Sequence, residues 1–130
     1  LRPAGRFKTR ISQIKTIPAG EPVGYNCMDV ADHERMIAIL PVGYADGLDR
    51  KLGNRKGSVF IRSALAPIAG NICMDMCMVD VTGIGAAEGD EAEIFGENLP
   101  IEEMAEKIKT IPYEILTSIP GRVKRIFYRE

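Results

Sequence analysis

The chain has 130 residues, enough for one domain, and a chain of this size should bury roughly two-thirds of its unfolded surface in a single core. Its 17 lysines and arginines balance 18 acidic residues, which disfavours nucleic acid or an anionic membrane as a partner. No apolar run is long enough to span a membrane, and the first residues lack the apolar region typical of a signal peptide. Three cysteines, an odd number, fit a reducing compartment, so we expect a cytoplasmic protein. A start at Leu1 rather than Met suggests a piece of a longer protein.

Short runs of apolar and β-branched residues, separated by turn residues, are typical of strands. These runs occupy residues 9–17, 36–40, 58–61, 76–81, 91–95, 115–117 and 123–128, and Val23 would begin a further one. Pro18 to Gly20 ends the first run, and Pro67 and Gly70 interrupt the chain before Asn71. One helix is predicted over residues 101–108, where apolar residues recur at helical spacing behind Pro100. The sequence therefore predicts a mainly β fold, a small closed or nearly closed β-barrel with one short helix.

Two segments superficially match binding motifs. Cys73 and Cys77 lie four residues apart with Asp75 between them, but the Cys-x-x-Cys pairs and histidine cluster of a structural zinc site are missing. Buried structural cysteines are the favoured interpretation, and no metal is expected. The glycine-rich stretch at residues 83–89 lacks the spacing of a phosphate-binding loop and predicts an ordinary loop.

Tyr25 and Tyr44 each follow a glycine beside a strand-like run, where sites tend to lie on a β scaffold. A free phenol has a pKa of about 10, so its ionisation at pH 7 costs about 4 kcal/mol unless a cation lies nearby. The single histidine, His33, lies in a charged, solvated stretch, so a catalytic tyrosine would need a partner from another domain. On local grounds alone, an ordinary turn is the favoured interpretation of both tyrosines.

The segments Val23-Gly24-Tyr25, Gly43-Tyr44-Ala45-Asp46-Gly47 and Asn71-Ile72-Cys73-Met74-Asp75 occur in the order and spacing of the C-terminal domain of alanine racemases, which this chain resembles from Leu1 to Phe127. Those enzymes use pyridoxal 5'-phosphate to interconvert L- and D-alanine for peptidoglycan synthesis. Their cofactor-binding lysine lies in an N-terminal α/β barrel that this chain does not contain. The resemblance thus implies that residues 1–130 are the C-terminal β-domain, inactive and without bound cofactor when isolated.

The resemblance also implies roles for individual residues. Tyr25 would be one of two acid/base groups, acting on the face of the substrate opposite the lysine. The backbone N–H of Met74 would donate to the substrate carboxylate, and Tyr44 would line the narrow entrance to the active site. Farther out at this entrance would lie Arg50, Cys73 and Asp75. Arg50 could steer the carboxylate of alanine, although an exposed turn arginine is equally compatible with the sequence.

The chain departs from the family pattern at two positions. Gly121 stands where many racemases have a tyrosine that helps to hold the cofactor phosphate, and Asn71 replaces a common arginine, which predicts a less cationic entrance. Both changes resemble the variants fused behind a UDP-N-acetylmuramoyl-tripeptide:D-alanyl-D-alanine ligase. A fused ligase is therefore a further expectation.

The implied partner is the N-terminal barrel of the other subunit in a head-to-tail homodimer, which would cover Tyr25, Tyr44 and residues 73–75. The alternative is a non-catalytic dimerisation or partner-binding barrel, in which both tyrosines are ordinary surface aromatics. The two hypotheses differ in whether Tyr25, Tyr44 and the Met74 amide lie together on one face.

Overall fold

The computed structural model describes residues 6–23 and 30–120. The strands in this part of the chain are β1 (Phe7–Arg10), β2 (Gln13–Ile17), β3 (Arg35–Leu40), β4 (Ser58–Ile61), β5 (Ala64–Ala69), β6 (Cys77–Asp80) and β7 (Glu91–Phe95). The helices are α1 (Ile101–Lys107) and α2 (Pro112–Ser118), with single 3₁₀ turns at Tyr44–Asp46 and Arg50–Leu52. None of these helices has the length and apolar character needed to cross a bilayer.

The strands form one antiparallel sheet in the order β1-β7-β4-β5-β6-β3-β2. Although β1 and β2 lie at its two ends, only Ile11 and Ser12 separate them in the chain. The Ile11 N–H donates to the Asp90 carbonyl beside β7, and the Ser12 N–H donates to the Ile39 carbonyl in β3, both at 2.9 Å. The single strand predicted over residues 9–17 is therefore two strands. The chain bends between them at Ile11 and Ser12 and passes from one end of the sheet to the other. The predicted mainly β, barrel-like fold is confirmed: the sheet is a curled half-barrel, and the described residues form two short helices where one was predicted.

The core fills the concave side of this sheet. Along β4 and β6 every second residue is buried, as expected for strands with one face inward. The helices pack on the same core through a set of buried apolar side chains: Ile101, Met104, Ala105, Ile108 and Ile115. The predicted helix over residues 101–108 is thus confirmed as α1, and the predicted strands at 36–40, 58–61 and 91–95 match β3, β4 and β7.

The second helix corrects one prediction. Residues 115–117 were expected to form a strand, but they lie within α2. Pro112 begins this helix at a position where its fixed φ is suited to a first turn and its missing N–H costs nothing. Ile115 is then buried on the face that meets α1, so tertiary packing decides the structure of a short apolar run. The strand predicted at 123–128 lies outside the described residues.

Strand β5 was not predicted because Pro67 lies within it. Pro67 is opposite Ser58 of β4, and the Ile68 N–H donates to the Gly57 carbonyl at 2.9 Å. Successive N–H groups point to opposite neighbours, so the nitrogen of Pro67 faces the side of β6, whose pairing begins only at Ile68. The proline therefore removes no hydrogen bond from the sheet.

Glu93 is a buried carboxylate on β7, only 3% exposed. It accepts hydrogen bonds from the backbone N–H groups of Asn98 and Leu99, both at 2.8 Å. It also accepts one from the Asn98 side-chain amide at 3.3 Å. These bonds fix the turn that leads from β7 into α1, because each of them joins the strand to the segment just before Pro100.

We therefore expect Glu93→Ala to lower the free energy of unfolding by about 2–3 kcal/mol, because it leaves the Leu99 N–H buried without an acceptor. Glu93→Gln retains one acceptor oxygen and should cost less. Glu106→Ala, at an exposed position of α1, is the control and should change stability by less than about 0.5 kcal/mol. Urea denaturation of the 130-residue chain measures all three, and equal midpoints for Glu93→Ala and Glu106→Ala would contradict the assignment.

Candidate functional site

Tyr44 lies in a turn that is closed by its own hydrogen bonds. The Asp46 carboxylate accepts from the Gly43 N–H at 3.0 Å, and the Asp46 N–H donates to the Gly43 carbonyl at 3.0 Å. The turn ends at Gly47, whose φ of +101° is in the left-handed region and whose N–H donates to the Tyr44 carbonyl at 3.2 Å. The turn predicted here is thus confirmed, and it presents the Tyr44 side chain with 41% of the residue's surface exposed.

The Cys73 turn, residues 73–76, lies directly against the Tyr44 turn. It is closed by a hydrogen bond from the Cys73 N–H to the Met76 carbonyl at 3.0 Å, immediately before β6. The Tyr44 N–H donates to the Cys73 carbonyl at 3.0 Å, and the Ala45 N–H donates to the Met74 carbonyl at 2.8 Å. Tyr44 and Cys73 are 29 residues apart in the sequence, and their two turns therefore form one surface.

Gly43 allows this close approach. A Cβ atom at Gly43 would lie 2.5 Å from the Met74 carbonyl oxygen, and it would be closer still to the Cys73 carbonyl oxygen. The φ of Gly43 is −143°, which any residue can adopt, so glycine is needed here for space rather than for backbone conformation. Sequence reasoning overlooked this residue because a glycine before a turn usually signals conformational freedom.

Met74 combines an exposed position with an available amide. The residue is 58% exposed, and no described residue accepts a hydrogen bond from its N–H. The Cys73 carbonyl, which belongs to the same peptide group as this N–H, accepts from the Tyr44 N–H at 3.0 Å, so the direction of the Met74 N–H is fixed. Asp75, the next residue, is also exposed. The resemblance implies the Met74 N–H as a donor to the substrate carboxylate, and that role stays a prediction.

A second loop supports the start of the Cys73 segment from behind. The Asn54 N–H donates to the Gly70 carbonyl at 2.8 Å, and the Asn54 side-chain amide donates to the Asn71 side chain at 2.8 Å. Asn54 and Arg55 have φ values of +54° and +68°, which are costly for residues other than glycine. No local sequence signal predicts two consecutive left-handed residues, and the loop was overlooked for that reason.

Gly70 also contacts Val23, the last described residue before the Tyr25 segment. A Cβ at Gly70 would lie 2.9 Å from the Val23 carbonyl oxygen, and Val23 is only 1% exposed. Val23 is therefore held against the residues that lead into the Cys73 turn. Tyr25 itself lies outside the described residues, as does Gly121.

Arg50 lies beside Tyr44. Its guanidinium carbon is 5.4 Å from the centroid of the Tyr44 ring, within the range of a cation–π interaction. The structure thus brings together Tyr44, Arg50, Cys73, Met74 and Asp75 from the set of predicted site residues.

The two described cysteines differ in their surroundings. Cys77 is fully buried, and burial, with a smaller contribution from the nearby Cys73, raises the pKa of its thiol to about 12. Cys73 is only partly buried. The described residues contain no group of three or more His, Cys, Asp or Glu side chains placed to bind a metal ion. Cys77 therefore has the environment of a structural thiol.

A family described as "Alanine racemase, C-terminal domain" matches residues 4–127. The chain belongs to this family. It is 44% identical to alanine racemase 1 of Caldanaerobacter subterraneus subsp. tengcongensis over 98% of its own length and 34% of that protein's. It is 43% identical to the alanine racemase of Desulfosudis oleivorans, with the same coverage of 98% and 34%.

Solved alanine racemases also share the fold. A structure from Streptomyces lavendulae matches at a TM-score of 0.92 with 38% identity, over 100% of this chain and 35% of that one. A structure from Bartonella henselae, described as having covalently bound pyridoxal phosphate, matches at a TM-score of 0.89 with 37% identity, over 95% of this chain and 34% of that one. The chain thus spans about a third of the length of the alanine racemases it matches.

The close approach at Gly43 predicts the effect of adding one methyl group. Gly43→Ala should lower the free energy of unfolding by about 3 kcal/mol or more, because it forces the two turns apart and breaks their hydrogen bonds. Gly83→Ala is the matched control: its φ is +79°, but nothing lies within 4 Å of the added atom. The control should cost only about 1–2 kcal/mol of backbone strain. Denaturant midpoints compare the two, and a Gly43→Ala cost no greater than that of the control would be inconsistent with a tight contact.

The pKa of Cys77 predicts selective alkylation. At pH 8 iodoacetamide should modify Cys73 and leave Cys77 unmodified until the protein unfolds, because the thiolate is the reactive form. Fragmentation mass spectrometry locates the label, and equally fast labelling of Cys73 and Cys77 in the native protein would refute the prediction.

The raised pKa of Cys77 also predicts how stability depends on pH. The stability contributed by the buried thiol is fully present below pH 9.0 and is lost as the pH rises towards 12, since the unfolded thiol ionises first.

Proposed function

We propose that this chain is the C-terminal β-domain of a pyridoxal-phosphate-dependent alanine racemase that interconverts L- and D-alanine for peptidoglycan synthesis. One observation in particular supports this function. In a member of this family, the Tyr44 turn and the Cys73 turn are hydrogen-bonded to each other and present an aromatic ring and the fixed Met74 N–H, which has no acceptor among the described residues. A ring and a donor on one rigid surface can hold a small amino acid through its apolar side and its carboxylate.

This chain offers residues for only part of a pyridoxal-phosphate site. Bound pyridoxal phosphate supplies the electron sink that makes the Cα proton of alanine removable. The described residues provide a donor and an aromatic ring for a substrate beside such a group. We place the lysine and most of the phosphate contacts in an N-terminal α/β barrel outside this chain, and we therefore expect the isolated 130-residue chain to bind no cofactor and to be inactive.

In the proposed site, Tyr25 gives and takes the proton on one face of the substrate Cα. The Met74 N–H donates a hydrogen bond to the substrate carboxylate, and it needs little reorganisation because the Cys73 carbonyl of the same peptide group is already held by the Tyr44 N–H. The Tyr44 ring narrows the entrance, and its hydroxyl can donate a hydrogen bond. Arg50, Cys73 and Asp75 lie around this entrance.

The partner in this proposal is the N-terminal barrel of the other subunit of a homodimer. The exposed Met74, Asp75 and Tyr44 are the described residues that the partner barrel would cover. A covered site keeps water away from the substrate Cα during proton transfer, which an open surface cannot do. Cytoplasmic location and an upstream ligase belong to the same proposal.

Tyr25→Phe in the complete protein tests the proposed function. The variant removes one hydroxyl from the acid/base pair, so racemisation should fall by about 10²–10⁴-fold in both directions while cofactor absorbance and dimer mass are retained. Tyr113→Phe is the matched control, because Tyr113 is 72% exposed on α2 and should lose no activity.

The same experiment addresses the alternative, a non-catalytic dimerisation or partner-binding module. If the domain only mediates assembly, Tyr25→Phe and Tyr113→Phe will have the same racemase activity as the wild type. That result would remove Tyr25 from the mechanism. A loss of dimer together with activity would show a structural role for the hydroxyl instead.

A further inference from the structure

Arg50 and Tyr44 form a stacked pair at the candidate site. The guanidinium carbon of Arg50 lies 5.4 Å from the centroid of the Tyr44 ring. Tyr44 lies on a turn and is 41% exposed, so part of its side chain faces solvent. The guanidinium occupies one face of this ring and therefore restricts the directions in which the phenol can point.

The nearby carboxylates are engaged elsewhere, which leaves Arg50 available for the ring. Asp46 accepts the Gly43 N–H at 3.0 Å, and Asp49 accepts the Lys51 N–H at 2.8 Å as the N-cap of the second 3₁₀ turn. Within residues 6–23 and 30–120, no carboxylate forms an ion pair with Arg50. The arginine is thus next to acidic residues in sequence and next to an aromatic ring in space.

Both residues of the pair are attached to a fixed backbone. The Arg50 carbonyl accepts the Gly53 N–H at 3.1 Å, and the Tyr44 N–H donates to the Cys73 carbonyl at 3.0 Å. The stack therefore connects the Tyr44 turn to the second 3₁₀ turn through side chains, in addition to the chain that links them. Movement of the ring away from the entrance would require the guanidinium contact to break.

We propose that Arg50 is a positioning residue, which holds the Tyr44 ring in the orientation that receives the substrate. This inference rests on the proposed function and differs from a role of Arg50 as a charge that steers the carboxylate of alanine. A steering charge acts at a distance and needs no ring, and it weakens as salt screens it. A stacked guanidinium acts only through Tyr44.

A double-mutant cycle in the complete protein separates these roles. The variants are Arg50→Met, which removes the cation and keeps an aliphatic stem, and Tyr44→Leu, which removes the ring and keeps an apolar side chain. Tyr44→Phe keeps the ring without its hydroxyl. Lys51→Met removes the same charge from the adjacent, exposed residue and is the matched control. The KM and kcat for alanine are measured in both directions at low and high salt.

Arg50→Met should raise KM by about 2- to 5-fold with kcat unchanged, in both the wild-type and the Tyr44→Phe backgrounds. In the Tyr44→Leu background the same substitution should have no effect, and Lys51→Met should have none in any background. A full Arg50→Met effect in the Tyr44→Leu background, or an equal effect of Lys51→Met, would overturn the positioning role in favour of steering.

Thermal unfolding of the same four proteins of the cycle keeps this inference separate from the proposed function. Non-additive shifts in the unfolding midpoint for Arg50→Met and Tyr44→Leu would show the stacked pair without reference to activity. If the wild type does not racemise alanine, the proposed function fails, whatever the midpoints show. If the wild type is active but the cycle is additive in both KM and midpoint, the positioning role fails and the proposed function stands.

Discussion

The contact between Gly43 and the carbonyl groups of Cys73 and Met74 is the constraint on which the candidate site depends. Two backbone segments approach so closely that a single Cβ atom would not fit between them. The hydrogen bonds from Tyr44 and Ala45 then cross this contact, so the position of each turn determines that of the other. A site built in this way needs few specialised side chains, because its shape and its donor come from the backbone.

The loop around Asn54 extends the same design. It supports Gly70 and Asn71 on one side, while Val23 packs against Gly70. Three segments that are distant in sequence therefore meet just before the Cys73 turn. Asn54 and Arg55 in this loop have strained, left-handed backbone conformations. The hydrogen bonds of these two residues to β5 and Asn71 stabilise those conformations. The curled sheet provides the rigid base, since Cys73 leads directly into β6.

The sequence predicted those parts of the structure that depend on local patterns. Strands β3, β4 and β7 have continuous or alternating apolar residues, and the Gly-Tyr-Ala-Asp-Gly segment has the composition of a turn. Strand β5 was overlooked because the effect of Pro67 depends on where β6 starts to pair. Helix α2 was mistaken for a strand because only its packing against α1 distinguishes the two for so short a segment. The stack of Arg50 on Tyr44 could not be predicted either, since it depends on what Asp46 and Asp49 bind.

The bend at Ile11 and Ser12 has a consequence for the order of folding. Among the described strands, β1 is the first in the chain and its partner β7 is the last. The hairpin of β4 and β5 and its pairing with β6 require only nearby residues, whereas the pairing of β1 with β7 must close a loop of most of the domain. During synthesis, the pairing of β1 with β7 therefore cannot form until β7 has left the ribosome. We expect the sheet to grow outward from its middle strands and to close last at the pairing of β1 with β7.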